Sequence, residues 1–169
     1  MYKFLKNLIW SDFWGWFKVH YRCTPNLVAD LSSYCEQHGE VVAVTMDAAD
    51  IVTSDDLFNA LISGLKLPAD TPHSWSGLQD GFRAMLADDN VLRFVLYVYN
   101  GRHLLCRLPG AFFEFIGIVD RLNIFESDHF RLIFLLDLDI DPLDQEYDPE
   151  KYEYWLELLK TFERPMAQR

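Results

Sequence analysis

Residues 41–86 read VVAVTMDAADIVTSDDLFNALISGLKLPADTPHSWSGLQDGFRAML. The run Val41–Met46 is short, rich in β-branched residues and of the kind found in buried strands. Thr53, Ser54, Asp55 and Asp56 then supply a capping oxygen and early acidic charge, which together suit a helix N-terminus. Leu57, Phe58, Leu61, Ile62 and Leu65 are the inward stripe of that helix. After the loop LPADTP, Ser74 is placed to cap a second helix whose buried stripe is Leu78, Phe82, Met85 and Leu86. Ser76, Gln79, Asp80 and Arg83 share its opposite face, being three, four and seven positions apart. A packed core has no use for that polar row, so it is the candidate functional surface. Trp75, at the start of the helix, is expected to pack under the preceding loop beside Leu78 and Phe82.

Downstream, RFVLYVY, Asn100-Gly101 and RHLLCRL read as an inserted β-hairpin, because Asn-Gly readily takes the positive φ values of a two-residue turn. Gly110–Leu122 reads as a helix with Phe112, Phe115, Ile116 and Val119 inward. The near-continuous apolar run Phe130–Leu136 suits a strand buried on both faces. Asp148 and Pro149 mark a last helix, docked through Tyr152, Trp155, Leu156, Leu159 and Phe162.

Upstream, Leu27, Leu31, Tyr34 and Cys35 share a helix face that stops at Gly39. Leu5, Leu8, Ile9, Phe13, Trp16 and Phe17 also fall at helical spacing, giving an amphipathic N-terminal helix. Its aromatics and lysines suit either a lipid surface or docking on the domain or a second copy, and the scarcity of lysine favours docking. Lys6, Asn7 and Asp12 interrupt any spanning segment or signal-peptide core.

The chain has 169 residues, 50% of them hydrophobic, enough for one sizeable core. The expected division is an N-terminal extension at 1–25, an α/β domain at 26–136 and an acidic C-terminal extension at 137–169. The formal charges of 1–25, 26–125 and 126–169 are +3, −7 and −7, for a total of −11. Such a field repels nucleic acid and anionic membranes, and it suits either a basic partner or solubility alone. Three dispersed cysteines point to a reducing compartment, with the cytoplasm as the expectation.

Chemistry-bearing motifs are scarce. Asp137, Asp139 and Asp141 imitate the start of a calcium loop, but Pro142 stands where the loop requires glycine, and a solvated acidic turn explains them better. The five histidines have no metal-ligand spacing, and no GxSxG elbow, HExxH, CxxC or glycine-rich phosphate loop occurs. Asp47, Asp50, Asp55 and Asp56 raise the question of paired carboxylates, which a helix N-terminus answers more simply for the last two. No catalytic residue, metal or cofactor is expected.

The order VVAVTMDAADI, TSDDLFNALISGLKLP, HSWSGLQDGFRAML resembles the barstar family of ribonuclease inhibitors. In that family a strand leads to a helix of the form DL...L...L.LP, then to a loop and a helix of the form NWDAL.D.L. Asp56, Leu57, Leu61, Leu65, Leu67 and Pro68 match the first pattern, and Ser74–Phe82 matches the second. With the later strand, helix and strand, the resemblance runs from Val41 to Leu136. It implies a barstar-like α/β fold, with a small, mainly parallel sheet and packed helices, to which this chain adds the hairpin and two helical extensions.

It also implies that the chain is no enzyme but inhibits a nuclease, as the immunity protein of a ribonuclease toxin would, by filling a basic cleft with an acidic loop and helix. Asp80 falls on the family's central helix aspartate, with Ser76 and Gln79 as hydrogen-bonding neighbours and His73 and Ser74 as loop contacts. Ser76 stands where the family commonly has a second aspartate, and Ser74 where it has asparagine. The expected partner is a nuclease or other basic toxin, with no direct contact to nucleic acid and no stable membrane insertion. The alternative is a non-catalytic module that binds another basic protein or self-associates through the N-terminal helix.

Overall fold

The computed structural model describes residues 6, 9–10, 17–20, 27–87, 93–125, 132–138 and 149–162. In chain order its elements are β1 (Phe17–His20), α1 (Leu27–Gln37), β2 (Val41–Asp47), α2 (Ser54–Gly64), α3 (Trp75–Leu86), β3 (Arg93–Tyr99), α4 (Arg102–Arg107), α5 (Pro109–Phe125), β4 (Leu132–Asp137) and α6 (Pro149–Phe162). The strands form one sheet in the order β1-β4-β3-β2, and every pair is parallel. Parallel neighbours cannot be joined by a tight turn, so helical crossovers must run over the sheet. Two helices, α2 and α3, link β2 to β3, and two more, α4 and α5, link β3 to β4.

Burial follows sheet position. Central β3 is buried from Arg93 through Val98, whereas β2, at the edge, exposes Val42 and Thr45. On one face Val44, Leu96 and Phe134 lie in register across three strands. Phe134 meets Phe112 and Phe115 of α5 at centroid distances of 6.2 and 5.6 Å, and Phe115 meets Phe82 of α3 at 6.1 Å. These four rings are fully buried, and each contributes about 1.5–3 kcal/mol relative to exposure.

The opposite face carries Val41, Ala43 and Arg93. There the Arg93 guanidinium lies over the Trp10 ring at 5.2 Å, and Trp10 Nε1 donates to the Tyr34 hydroxyl of α1 at 3.0 Å. Cys35 of α1 reaches the Ala43 backbone; burial, partly offset by that hydrogen bond, pushes its thiol pKa up. Helices therefore cover both faces, as an all-parallel sheet requires.

Two expectations are overturned. No hairpin follows Asn100: residues Arg102–Arg107 are helix α4. The reason lies in the sheet. Strand β3 already has β2 on one edge and β4 on the other, so no edge remains for an antiparallel partner. Only Asn100 takes the positive φ, 55°, while Gly101 stays right-handed at −61° and starts the helix. That helix buries Leu104 and Leu105.

Phe17, assigned from periodicity to the N-terminal helix, instead begins strand β1, which occupies the outer edge of β4. Lys6, Ile9 and Trp10 do have helical backbone, and Ile9 is buried. The other elements lie close to their expected ranges. Among the described residues, no helix is long and apolar enough to cross a membrane.

The ends of the strands are tied by polar contacts. Asp47 Oδ1 accepts from Asn100 Nδ2 at 2.7 Å and from the Ala49 N–H at 2.9 Å, which explains why asparagine tolerates the left-handed turn here. Arg107 of α4 donates to the Ala49 and Ile51 carbonyls at 2.7 and 3.3 Å. Asp137, the first residue of the calcium-like run, is fully buried and accepts from the Tyr97 hydroxyl at 3.0 Å; Asp139, Asp141 and Asp148 lie outside the described residues.

The Asp47–Asn100 bridge can be separated into backbone and side-chain parts. Asn100→Ala loses both the hydrogen bond and the residue suited to positive φ, and should cost about 2–4 kcal/mol in urea unfolding. Asn100→Gly restores the backbone freedom alone and should recover part of that loss.

Candidate functional site

Helix α3 is placed by its glycines. Gly77 and Gly81 lie one turn apart on its inner side, beside the fully buried Leu78 and Phe82. A Cβ on Gly77 would stand 2.6 Å from the Pro72 carbonyl oxygen, and one on Gly81 would stand 2.9 Å from Leu67 Cδ1. Glycine at these two positions lets the loop Leu67–Pro72 lie flat on the helix. A loop held in this way delivers His73 and Ser74 to one end of α3 in a defined position.

Ser74 has extended backbone and caps α3, its Oγ accepting from the Gly77 N–H at 3.2 Å. The same oxygen lies 3.3 Å from the Ser76 hydroxyl, so the two serines form a small donor–acceptor pair at the helix start. Trp75 is half-buried, with its ring 4.8 Å from that of Phe58 in α2. It packs inward as expected, and its ring partner comes from the neighbouring helix.

Phe58 also stacks on the His73 imidazole, at 6.1 Å and 25° between planes. His73 Nδ1 in turn lies 3.9 Å from Asp55 Oδ1 in the first turn of α2. An aromatic row of His73, Phe58 and Trp75 thus joins the N-termini of the two helices.

The outer row of α3 holds Ser76 and Asp80, both exposed and one turn apart, with Gln79 half-buried beside them. Asp80 Oδ1 accepts from Arg83 at 3.0 Å, with 74% of the Asp80 side chain exposed. Such a pair is worth about 1 kcal/mol or less, so an incoming cation can displace it. Three of the five candidate residues, His73, Ser76 and Asp80, are exposed, and Ser74 and Gln79 are half-buried. The chemistry on offer is hydrogen bonding and one carboxylate. Among the described residues, no three His, Cys, Asp or Glu side chains gather as a metal site would need.

The two aspartates that open α2 have different surroundings. Asp56 closes a reciprocal capping box with Thr53: its carboxylate accepts from the Thr53 N–H at 2.7 Å, the Thr53 hydroxyl at 2.8 Å and the Val52 N–H at 3.2 Å. The hydrogen bonds from the Thr53 side chain, the Thr53 backbone and the Val52 backbone, in that order, hold its pKa below the usual aspartate value. Asp55 is 79% exposed and turns toward His73. Periodicity and cap rules treated the two as equivalent. The signal that separates them is the capping-box spacing itself, which assigns the carboxylate three residues after Thr53 and leaves the other outside.

Two results should follow. Gly77→Ala forces a methyl group onto a backbone carbonyl and should cost about 1–3 kcal/mol despite alanine's better helix propensity. Gly81→Ala meets only the end of a flexible leucine and should be close to neutral, as thermal or urea melts would show. For the cap, a depressed native pKa means that stabilisation is full above the unfolded value of about 3.9 and is lost as pH falls through the native one. Unfolding curves of the parent and Thr53→Ala should therefore differ most at neutral pH and converge in acid.

Neither a protein-family model nor a curated protein matches the chain, so its function has to be read from the geometry of this surface.

Proposed function

We propose that the chain is a non-catalytic inhibitor that seats its loop and α3 face in the basic active-site cleft of a nuclease, as the cytoplasmic immunity protein of a ribonuclease toxin would. The observation that carries this reading is the exposed carboxylate of Asp80 on the outer row of α3. That helix follows a strand, a helix and a loop in the order the barstar-like resemblance implies. The later strand, helical segment and strand, β3 through β4, also follow in that order and complete a parallel sheet behind the two helices.

The physical basis is charge complementarity. A cleft built to hold RNA phosphates presents Lys and Arg side chains, and a chain of net charge −11 is drawn toward it. Once docked, Asp80 takes the place of a phosphate, giving charge-assisted hydrogen bonds to the cleft. The hydroxyls of Ser74 and Ser76 and the amide of Gln79 supply neutral donors and acceptors at the rim, and His73 adds an imidazole edge. Inhibition needs no chemistry from the inhibitor, only occupancy.

The test is RNA hydrolysis by a panel of small, basic bacterial ribonucleases titrated with the purified chain. Stoichiometric inhibition of a panel member is expected, and Asp80→Ala should weaken it by about 2 kcal/mol or more. Arg83→Ala should bind slightly tighter, since it removes the internal competitor for the Asp80 carboxylate. Failure to inhibit any member, or full inhibition by Asp80→Ala, would overturn the reading.

A further inference from the structure

We infer that Asp55 is a second partner-contacting carboxylate of this surface, supplied by α2 where the matching position on α3 is Ser76; the inference rests on the inhibitor reading above. The first support is what Asp55 does not do. The stabilising role at the start of α2 belongs to Asp56, which makes the three capping hydrogen bonds. Asp55 is left with 79% of its side chain in solvent, so its charge is available to a second molecule.

The second support is placement. His73 stands 3.9 Å from Asp55 and stacks on Phe58, whose ring also meets Trp75 at the first position of α3. Asp55 is thus held beside the loop end that carries His73, Ser74 and Ser76, while Asp80 lies one turn further along α3 from Ser76. A partner seated on that loop end meets Asp55 beside His73.

The third support is charge. Asp80 shares its carboxylate with Arg83 and the loop carries the exposed Asp70, and Asp55 is a further exposed charge beside His73. Among the described contacts, Asp55 meets the His73 imidazole at 3.9 Å. Its exposed carboxylate adds to the negative charge that draws a basic cleft. A charge at the margin of an interface acts mainly on the rate of encounter and its salt dependence, which sets its signature apart from that of Asp80.

The experiment measures association and dissociation rates with the panel ribonuclease that the parent inhibits, at low and high salt. Asp55→Asn is expected to fold with a melting temperature at or slightly below the parent's, since it removes one first-turn charge, to associate about 3- to 10-fold more slowly at low salt, and to lose part of the salt dependence. Asp55→Glu, which keeps the charge, should restore the rate. If Asp55→Asn associates like the parent at both salt concentrations while Asp80→Ala fails to bind, the inference is overturned and the inhibitor reading survives. If Asp80→Ala also binds like the parent, or no panel enzyme is bound, the reading falls and the inference with it.

Discussion

Strand β3 is hydrogen-bonded along both edges to parallel neighbours, and much of the molecule is a consequence of that. A parallel pair leaves each strand's end on the far side of the sheet from the next strand's start, so the chain must cross the sheet between them. Both crossovers here use two helices. The pair α2 and α3 is joined by the loop Leu67–Ser74, and that loop is where the polar surface begins. The same double pairing excludes a hairpin after Asn100 and turns the following segment into α4, whose Arg107 then fastens the loop after β2.

Legibility in the sequence divides along the range of the interactions involved. The capped start of α2, the cap at Ser74, and the buried stripes through Leu57, Phe58 and Leu61 and through Leu78 and Phe82 depend on residues three or four positions apart. Local patterns suffice for those. The Asn-Gly turn misled because turn chemistry is necessary for a hairpin but does not supply a free edge. Strand β1 was missed for a related reason: four residues are too few to show a period, and their partner in β4 lies more than a hundred positions away. Non-local pairing overrode the helical spacing that ends at Phe17.

The polar surface was half legible. Helical period alone turned Ser76 and Asp80 outward, and the structure leaves both exposed. The contribution of α2 was not visible, because it depends on an aromatic contact between Phe58 and two residues of another segment, His73 and Trp75. Glycine at 77 and 81 gave no sequence signal of its meaning either. In isolation each weakens a helix by about 1 kcal/mol, and only the contact with Pro72 and Leu67 shows what that loss secures.

The separation between fold and surface is sharp in one pair of neighbours. Asp56 has its carboxylate filled by hydrogen bonds from the chain itself, so substituting it changes the helix start. Asp55, one residue earlier, contributes charge at the same helix end but is held by no backbone donor among the described contacts. A long-range field needs no fixed geometry, whereas a cap needs one within a few tenths of an ångström. The fold therefore depends less on Asp55 than on Asp56. Ser74 and Ser76 repeat the division on α3, the first bound to the Gly77 N–H and the second open to solvent. At both helix starts one polar side chain closes the local structure and its neighbour stays exposed.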